Sequence, residues 1–117
     1  MLFVQYPKCS TCKKALKWLE STGAAFESRH IVEDNPTAEE LRAWHEMSGL
    51  PLRRFFNTSG MLYREMQLKD KLPAMNEDQM YELLASNGML VKRPLLVMDD
   101  TVLVGFREAE WENALRG

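Results

Sequence analysis

The chain opens with a short apolar run, Leu2 to Tyr6, and then changes period. From Ser10 to Thr22 the apolar positions fall at Cys12, Ala15, Leu16 and Leu19, which is one stripe of a helix. Lys13, Lys17 and Glu20 take the opposite face, and Gly23 supplies the stop. Phe26 to Val32 reads as a second strand, so the opening is β-α-β. Two strands joined through a helix predict a parallel pair with a right-handed crossover. The almost unbroken apolar character of the first strand suits the middle of a sheet covered on both faces.

Asp34-Asn35-Pro36-Thr37 breaks this pattern, and helical character follows for about fifty residues. Thr37 with Glu40 forms a capping box for a helix carrying Leu41, Trp44 and Met47 and ending at Gly49. Pro51 to Phe56 predicts a short helix, Asn57-Thr58-Ser59-Gly60 a turn, and Tyr63 to Lys69 another short helix. Asn76 with Gln79 caps a further helix through Met80, Leu83 and Leu84 that stops near Gly88. Leu95 to Met98 and Thr101 to Val104 then read as a hairpin across Asp99-Asp100, and a last helix runs from about Glu108 to Leu115. The order βαβ, helical insert, ββα predicts an α/β fold with a thioredoxin-like mixed sheet. Without repeats or linkers, residues 1–117 are expected to be a single domain, with a core of about 1–33 and 88–117 and an insert of about 34–87.

Composition narrows the class without naming it. The chain is 45% hydrophobic and 27% charged, as in an ordinary globule, and its net charge of −2 comes from dispersed residues of both signs. No basic face points to direct nucleic-acid binding, and no run approaches the ~20 apolar residues of a membrane span. A cytoplasmic monomer is expected. In that compartment thiols stay reduced, so a close cysteine pair is catalytic or redox-sensing more often than a structural staple.

Cys9 and Cys12 are the two cysteines, and they stand where the first strand gives way to the first helix. A helix N-terminus carries unpaired N–H groups and the positive end of the peptide dipole, which favour a thiolate. Cys9 is therefore read as the attacking thiol, and Cys12, one turn along on the same face, as a resolving partner for a disulfide. The plainer reading of Cys12 is a small buried hydrophobe on the apolar stripe. A zinc site would need a second ligand pair, and His30 and His45 stand apart; haem attachment would need His where Lys13 stands.

Pro94 opens the third strand, where its missing N–H is tolerated. In a thioredoxin-like layout that turn lies beside the helix tip, and a cis-proline there leaves backbone groups free for a thiol substrate. Arg93 before it would bring a permanent charge and a planar fork toward Cys9, and Arg107 after Gly105-Phe106 is a second candidate. Lys8 and Lys13 flank the thiols, while neither histidine has a sequence neighbour that would orient it as a base.

Tyr6-Pro7-Lys8-Cys9-Ser10-Thr11-Cys12-Lys13-Lys14, Arg93-Pro94-Leu95 and Val104-Gly105-Phe106-Arg107 together resemble the ArsC/Spx family. The resemblance covers essentially the whole chain and implies a thioredoxin-like fold with a helical insert. It implies one of two activities. In the arsenate reductase branch a cysteine attacks arsenate, three arginines hold the adduct, and glutathione with glutaredoxin or a thioredoxin-type reductant completes the cycle, with no bound cofactor. In the Spx and MgsR-type branch the cysteine pair is a redox switch, and the partner is the C-terminal domain of the RNA polymerase α subunit.

By this resemblance Cys9, Cys12 and Arg93 are the catalytic set, and Ser10, Thr11, Pro94 and Arg107 contact substrate. Cys12 matches the regulators' second cysteine, whereas Arg107 resembles the reductases' third arginine. The remaining arginine of the reductases falls at Asn57, which offers a hydrogen bond but no charge. Arg53, Arg54 and Arg64 are candidates to replace it. No metal is implied.

Overall fold

The structure is a computed structural model that describes residues 1–116. Strands β1 (Leu2–Gln5), β2 (Glu27–His30), β3 (Leu95–Val97) and β4 (Val102–Val104) form one sheet in the order β2-β1-β3-β4. The pair β1–β2 is parallel, and β1–β3 and β3–β4 are antiparallel, with Phe3 opposite Leu96 and Leu95 opposite Val104. The expected central place of the first strand and the parallel opening are both present.

Alternation along the strands divides the core in two. Phe3, Leu96 and Leu103 point to one face, where α1 (Ser10–Thr22) supplies Ala15 and Leu19 and α6 (Glu108–Arg116) supplies Trp111. Val4, Leu95, Val102 and Val104 point to the other. There the insert covers them with α2 (Ala38–Ser48), α3 (Met61–Glu65), α4 (Leu68–Lys71) and α5 (Glu77–Ser86). Burying a side chain such as Leu41 or Leu84 on this face contributes roughly 1.5–3 kcal/mol.

The helix signals in the sequence are realised atom for atom. Thr37 and Glu40 form a reciprocal capping box on α2, as do Asn76 and Gln79 on α5, and Gly23 and Gly49 close their helices in the left-handed region. Two elements differ from expectation. The second strand is shorter than 26–32, because Phe26 turns out of the strand to pack edge-on against Phe3 at 5.9 Å and the Asp34 N–H donates to the His30 carbonyl in a turn. The helix expected over 63–69 is broken in two by Gln67, whose φ of 55° redirects the chain so that Leu68 is fully buried.

Candidate active site

Cys9 is the N-cap of α1, with extended dihedrals of −87° and 124°, and its position is set by its own N–H donating to the Tyr6 carbonyl at 3.0 Å. The residue leaves the strand and enters the helix in a single step. Its side chain makes no full cap hydrogen bond, so the N–H of Cys12 acts on the sulfur as an oriented dipole. Burial alone pushes the Cys9 thiol up, but that N–H, the Cys12 thiol and the Arg93 guanidinium together outweigh it and hold the thiol below its ordinary range. Cys9 is half-buried and Cys12 fully buried, both as free thiols. Burial, reinforced by the neighbouring Cys9 charge, pushes Cys12 up to about 12, so at neutral pH it is a proton donor to Cys9 and not a competing thiolate.

Two tertiary hydrogen bonds assemble the wall opposite the helix tip. Gly105 N–H donates to the Pro94 carbonyl at 2.8 Å, and Trp111 Nε1 donates to the Gly105 carbonyl at 3.0 Å, so the segments bearing Arg93 and Arg107 are tied side by side and anchored on α6. The Arg93–Pro94 peptide bond is cis. Arg93 lies with its guanidinium 5.1 Å from the Tyr6 ring centre, and its Nε is buried with no hydrogen-bond partner.

A second tie brings in the insert. Phe56 bridges Val91, Asn57 N–H donates to the Leu90 carbonyl at 2.8 Å, and Lys92 N–H donates to the Phe55 carbonyl at 2.7 Å. These contacts carry the 3₁₀ turn Leu52–Phe55, and Arg54 with it, to the rim of the cysteine site.

The result is a cleft of about 400 Å³ with Cys9 and Thr11 on one side and Arg54, Asn57, Ser59, Lys92, Arg93 and Arg107 around the rest. Its lining includes four cationic side chains and no carboxylate. Among the described residues none of these four forms an ion pair with an acid. Such an arrangement does two things: it stabilises a thiolate, and it offers charged forks to an anion approaching that thiolate.

Of the residues singled out from the sequence, the fold brings Cys9, Cys12, Arg93, Thr11 and Arg107 together. Ser10 and Pro94 do not line the cleft; Ser10 is exposed on the first turn of α1, and Pro94 is buried and contributes its carbonyl to the Gly105 tie. Lys92 and Ser59 carry no local sequence signal for this site, and Arg54 is the one of the three candidate arginines that lines it. Arg64 lies outside the cleft, and its Nη2 reaches the Ser59 carbonyl at 3.4 Å. Both histidines are also outside it. His30 Nδ1 accepts from the N–H groups of Val32 and Glu33 at 3.1 Å, and His45 Nδ1 pairs with the Tyr81 hydroxyl at 2.6 Å. Among the described residues no cluster could hold a metal ion, and no helix is long and apolar enough to cross a membrane.

A mixed four-stranded sheet, a cysteine at the tip of the first helix and a cis-proline before the third strand define a thioredoxin-like thiol protein. The chain belongs to the ArsC family, which it matches over residues 4–114. The uncharacterized protein YusI of Bacillus subtilis (strain 168) is 55% identical over 112 residues, covering 96% of this chain and 95% of YusI. The global transcriptional regulator Spx of Enterococcus faecalis is 29% identical over 105 residues, covering 89% of this chain and 77% of the regulator. An ArsC family related protein from Bacteroides fragilis superposes with a TM-score of 0.93 at 57% identity, covering 96% of this chain and 94% of that one. A possible arsenate reductase from Streptococcus mutans UA159 superposes with a TM-score of 0.89 at 44% identity, covering 97% and 96%.

Proposed function

We propose that this protein is a thiol reductase of the arsenate reductase kind, with Cys9 as nucleophile and an external thiol as reductant. The observation that carries the reading is the lowered Cys9 thiol facing a cleft with four cations and no acid. A thiolate formed in advance by a helix dipole and an arginine needs no adjacent base.

With arsenate as substrate, the Cys9 thiolate attacks arsenic, an S–As bond forms, and one arsenate oxygen leaves as water after taking up protons. The thiolate of glutathione or of a thioredoxin-type reductant then attacks the Cys9 sulfur. The new S–S bond forms as the S–As pair leaves on arsenic, which falls from +5 to +3. A second external thiol frees Cys9 and carries away the disulfide. Arg93 stabilises the attacking sulfur, while Arg54, Lys92 and Arg107 hold the oxyanion charge. Arg54 and Lys92 supply the charge that Asn57 lacks. Cys12, protonated and buried, supports Cys9 as a donor, which leaves resolution to the external thiol.

Turnover of arsenate, or of a disulfide, by purified protein with glutathione and glutaredoxin or with thioredoxin tests this directly. Thiol-dependent reduction that disappears in Cys9→Ser is the expected result, and no reduction of either substrate with either reductant overturns it.

The contact between Cys9 and Cys12, together with the likeness to Spx, favours a second reading as a redox-switched regulator that binds the C-terminal domain of the RNA polymerase α subunit. A pull-down with that domain, oxidised and reduced, separates the two; binding in neither state removes the regulator.

A further inference from the structure

The Cys9 cleft is larger than a tetrahedral oxyanion needs, and its Arg54 and Lys92 wall is shared with a second hollow. Five heavy atoms take the room of about three or four waters, ~100 Å³ at ~30 Å³ each, a fraction of the 400 Å³ present. Beyond Arg54 and Lys92, which line both, lies a second hollow of about 310 Å³ with Arg53, Phe56, Thr58 and Tyr63 in its walls. Tyr63 packs against Phe56 with ring centres 6.4 Å apart, which gives this hollow an aromatic side. Arg53 brings a further charge that the Cys9 cleft does not contain, and among the described residues it too forms no ion pair. Two adjoining concavities that share two cations, with the reacting sulfur at one end and a free arginine at the other, suit a molecule that is anionic along its length.

Building on the thiol reductase reading, we propose that Arg53, Arg54 and Lys92 with Tyr63 form a second anion subsite, and that the substrate is an extended acidic disulfide reaching from Cys9 into it. The Cys9 thiolate attacks one sulfur of that disulfide. An S–S bond to Cys9 forms, the original S–S bond breaks, and its electron pair leaves on the distal sulfur as a free thiolate. The half retained on Cys9 keeps its carboxylate at Arg53 and Arg54 until a second small thiol attacks, which restores Cys9 and releases a disulfide. Arg53 acts here in binding, since it does not reach the reacting sulfur.

The test compares the rate of Cys9 modification by oxidised glutathione, which carries carboxylates on both halves, with that by 2,2′-dithiodipyridine, which is neutral. The acidic-to-neutral rate ratio is read in wild type, in Arg53→Gln, in Arg53→Lys and in Lys17→Gln, a charge removal of equal size on the outer face of α1. The ratio is expected to fall about five- to tenfold in Arg53→Gln, the effect of about one charge-assisted contact. Arg53→Lys is expected to recover part of it, and Lys17→Gln to change it less than twofold. Equal falls in Arg53→Gln and Lys17→Gln mean that only the overall field matters, and that overturns the subsite. Failure of wild type to react with the neutral disulfide would instead remove the nucleophile, and with it the thiol reductase reading. In that event the subsite is decided by titrating Cys9→Ser with oxidised glutathione: amide shifts at Arg53 and Tyr63 support it, and their absence refutes it.

Discussion

Lys92 lies across Gly105, with its Cε 3.2 Å from where a Cβ on residue 105 would stand. Gly105 also has a φ of 77°, so an L side chain there meets backbone strain as well as the lysine stem. Gly105→Ala is expected to lower stability by about 1–2 kcal/mol, seen as a lower denaturation midpoint with an unchanged slope. The lysine stem must also give by a few tenths of an ångström at the cleft wall, so protection of Cys9 by sulfate against alkylation should weaken.

The pH dependence of Cys9 alkylation reports the thiolate directly. Its midpoint should lie below that of a free thiol in wild type and rise in Arg93→Ala, with the alkylation rate at pH 7 falling about three- to tenfold as the thiolate fraction drops. Cys12→Ala should move the midpoint the same way, because the thiol that donates toward Cys9 is removed. A midpoint that does not move in Arg93→Ala would mean the guanidinium does not act on the sulfur.

Arg107→Gln and Arg54→Gln should each weaken protection of Cys9 by arsenate or sulfate about five- to tenfold, the worth of one charge-assisted contact at a partly exposed site. Asn57→Arg should strengthen it, since a further fork enters the same cleft.

Acid sensitivity should trace to Glu40. The Arg29 guanidinium, donating to both carboxylate oxygens at 2.7 and 2.8 Å, outweighs the upward push of partial burial and, with the Thr37 N–H, pulls Glu40 down to about 2. A carboxylate held lower in the folded protein than in the unfolded chain stabilises fully above about pH 4.5, and this contribution is lost as the pH falls toward 2. Because the Glu40 side chain remains 35% exposed, Glu40→Gln should cost about 1–2 kcal/mol at pH 7. That difference from wild type should shrink steadily below about pH 4.5 and disappear only as the pH falls through 2 in urea unfolding followed across pH.

Gly88→Ala should be among the most damaging single changes. A Cβ at residue 88 would stand 2.0 Å from the Ile31 carbonyl oxygen, and backbone cannot give way as a flexible side chain does. A loss of about 3 kcal/mol or more is expected, measured by chemical denaturation.

The local elements were legible in the sequence because their causes are local. The caps at Thr37 and Asn76, the glycine stops at residues 23 and 49 and the two-residue loop at Asp99-Asp100 each depend on residues within one turn of one another. The break at Gln67 was not legible. Nothing near it in sequence demands a left-handed residue; the demand comes from Leu68, which must enter a core made by distant segments.

The same division runs through the site. Placing Cys9 at a helix tip and Arg93 before a strand-opening proline follows from the order of strand, helix and strand, so the sequence by itself determined where that thiol stands and one arginine that acts on it. Beyond Arg107, which further cations surround that sulfur was decided only in three dimensions. Arg54 and Lys92 meet there because Phe56 bridges Val91 and Lys92 N–H donates to Phe55. Backbone pairing between such distant segments leaves no periodicity in either one, so no pattern along the chain can announce it.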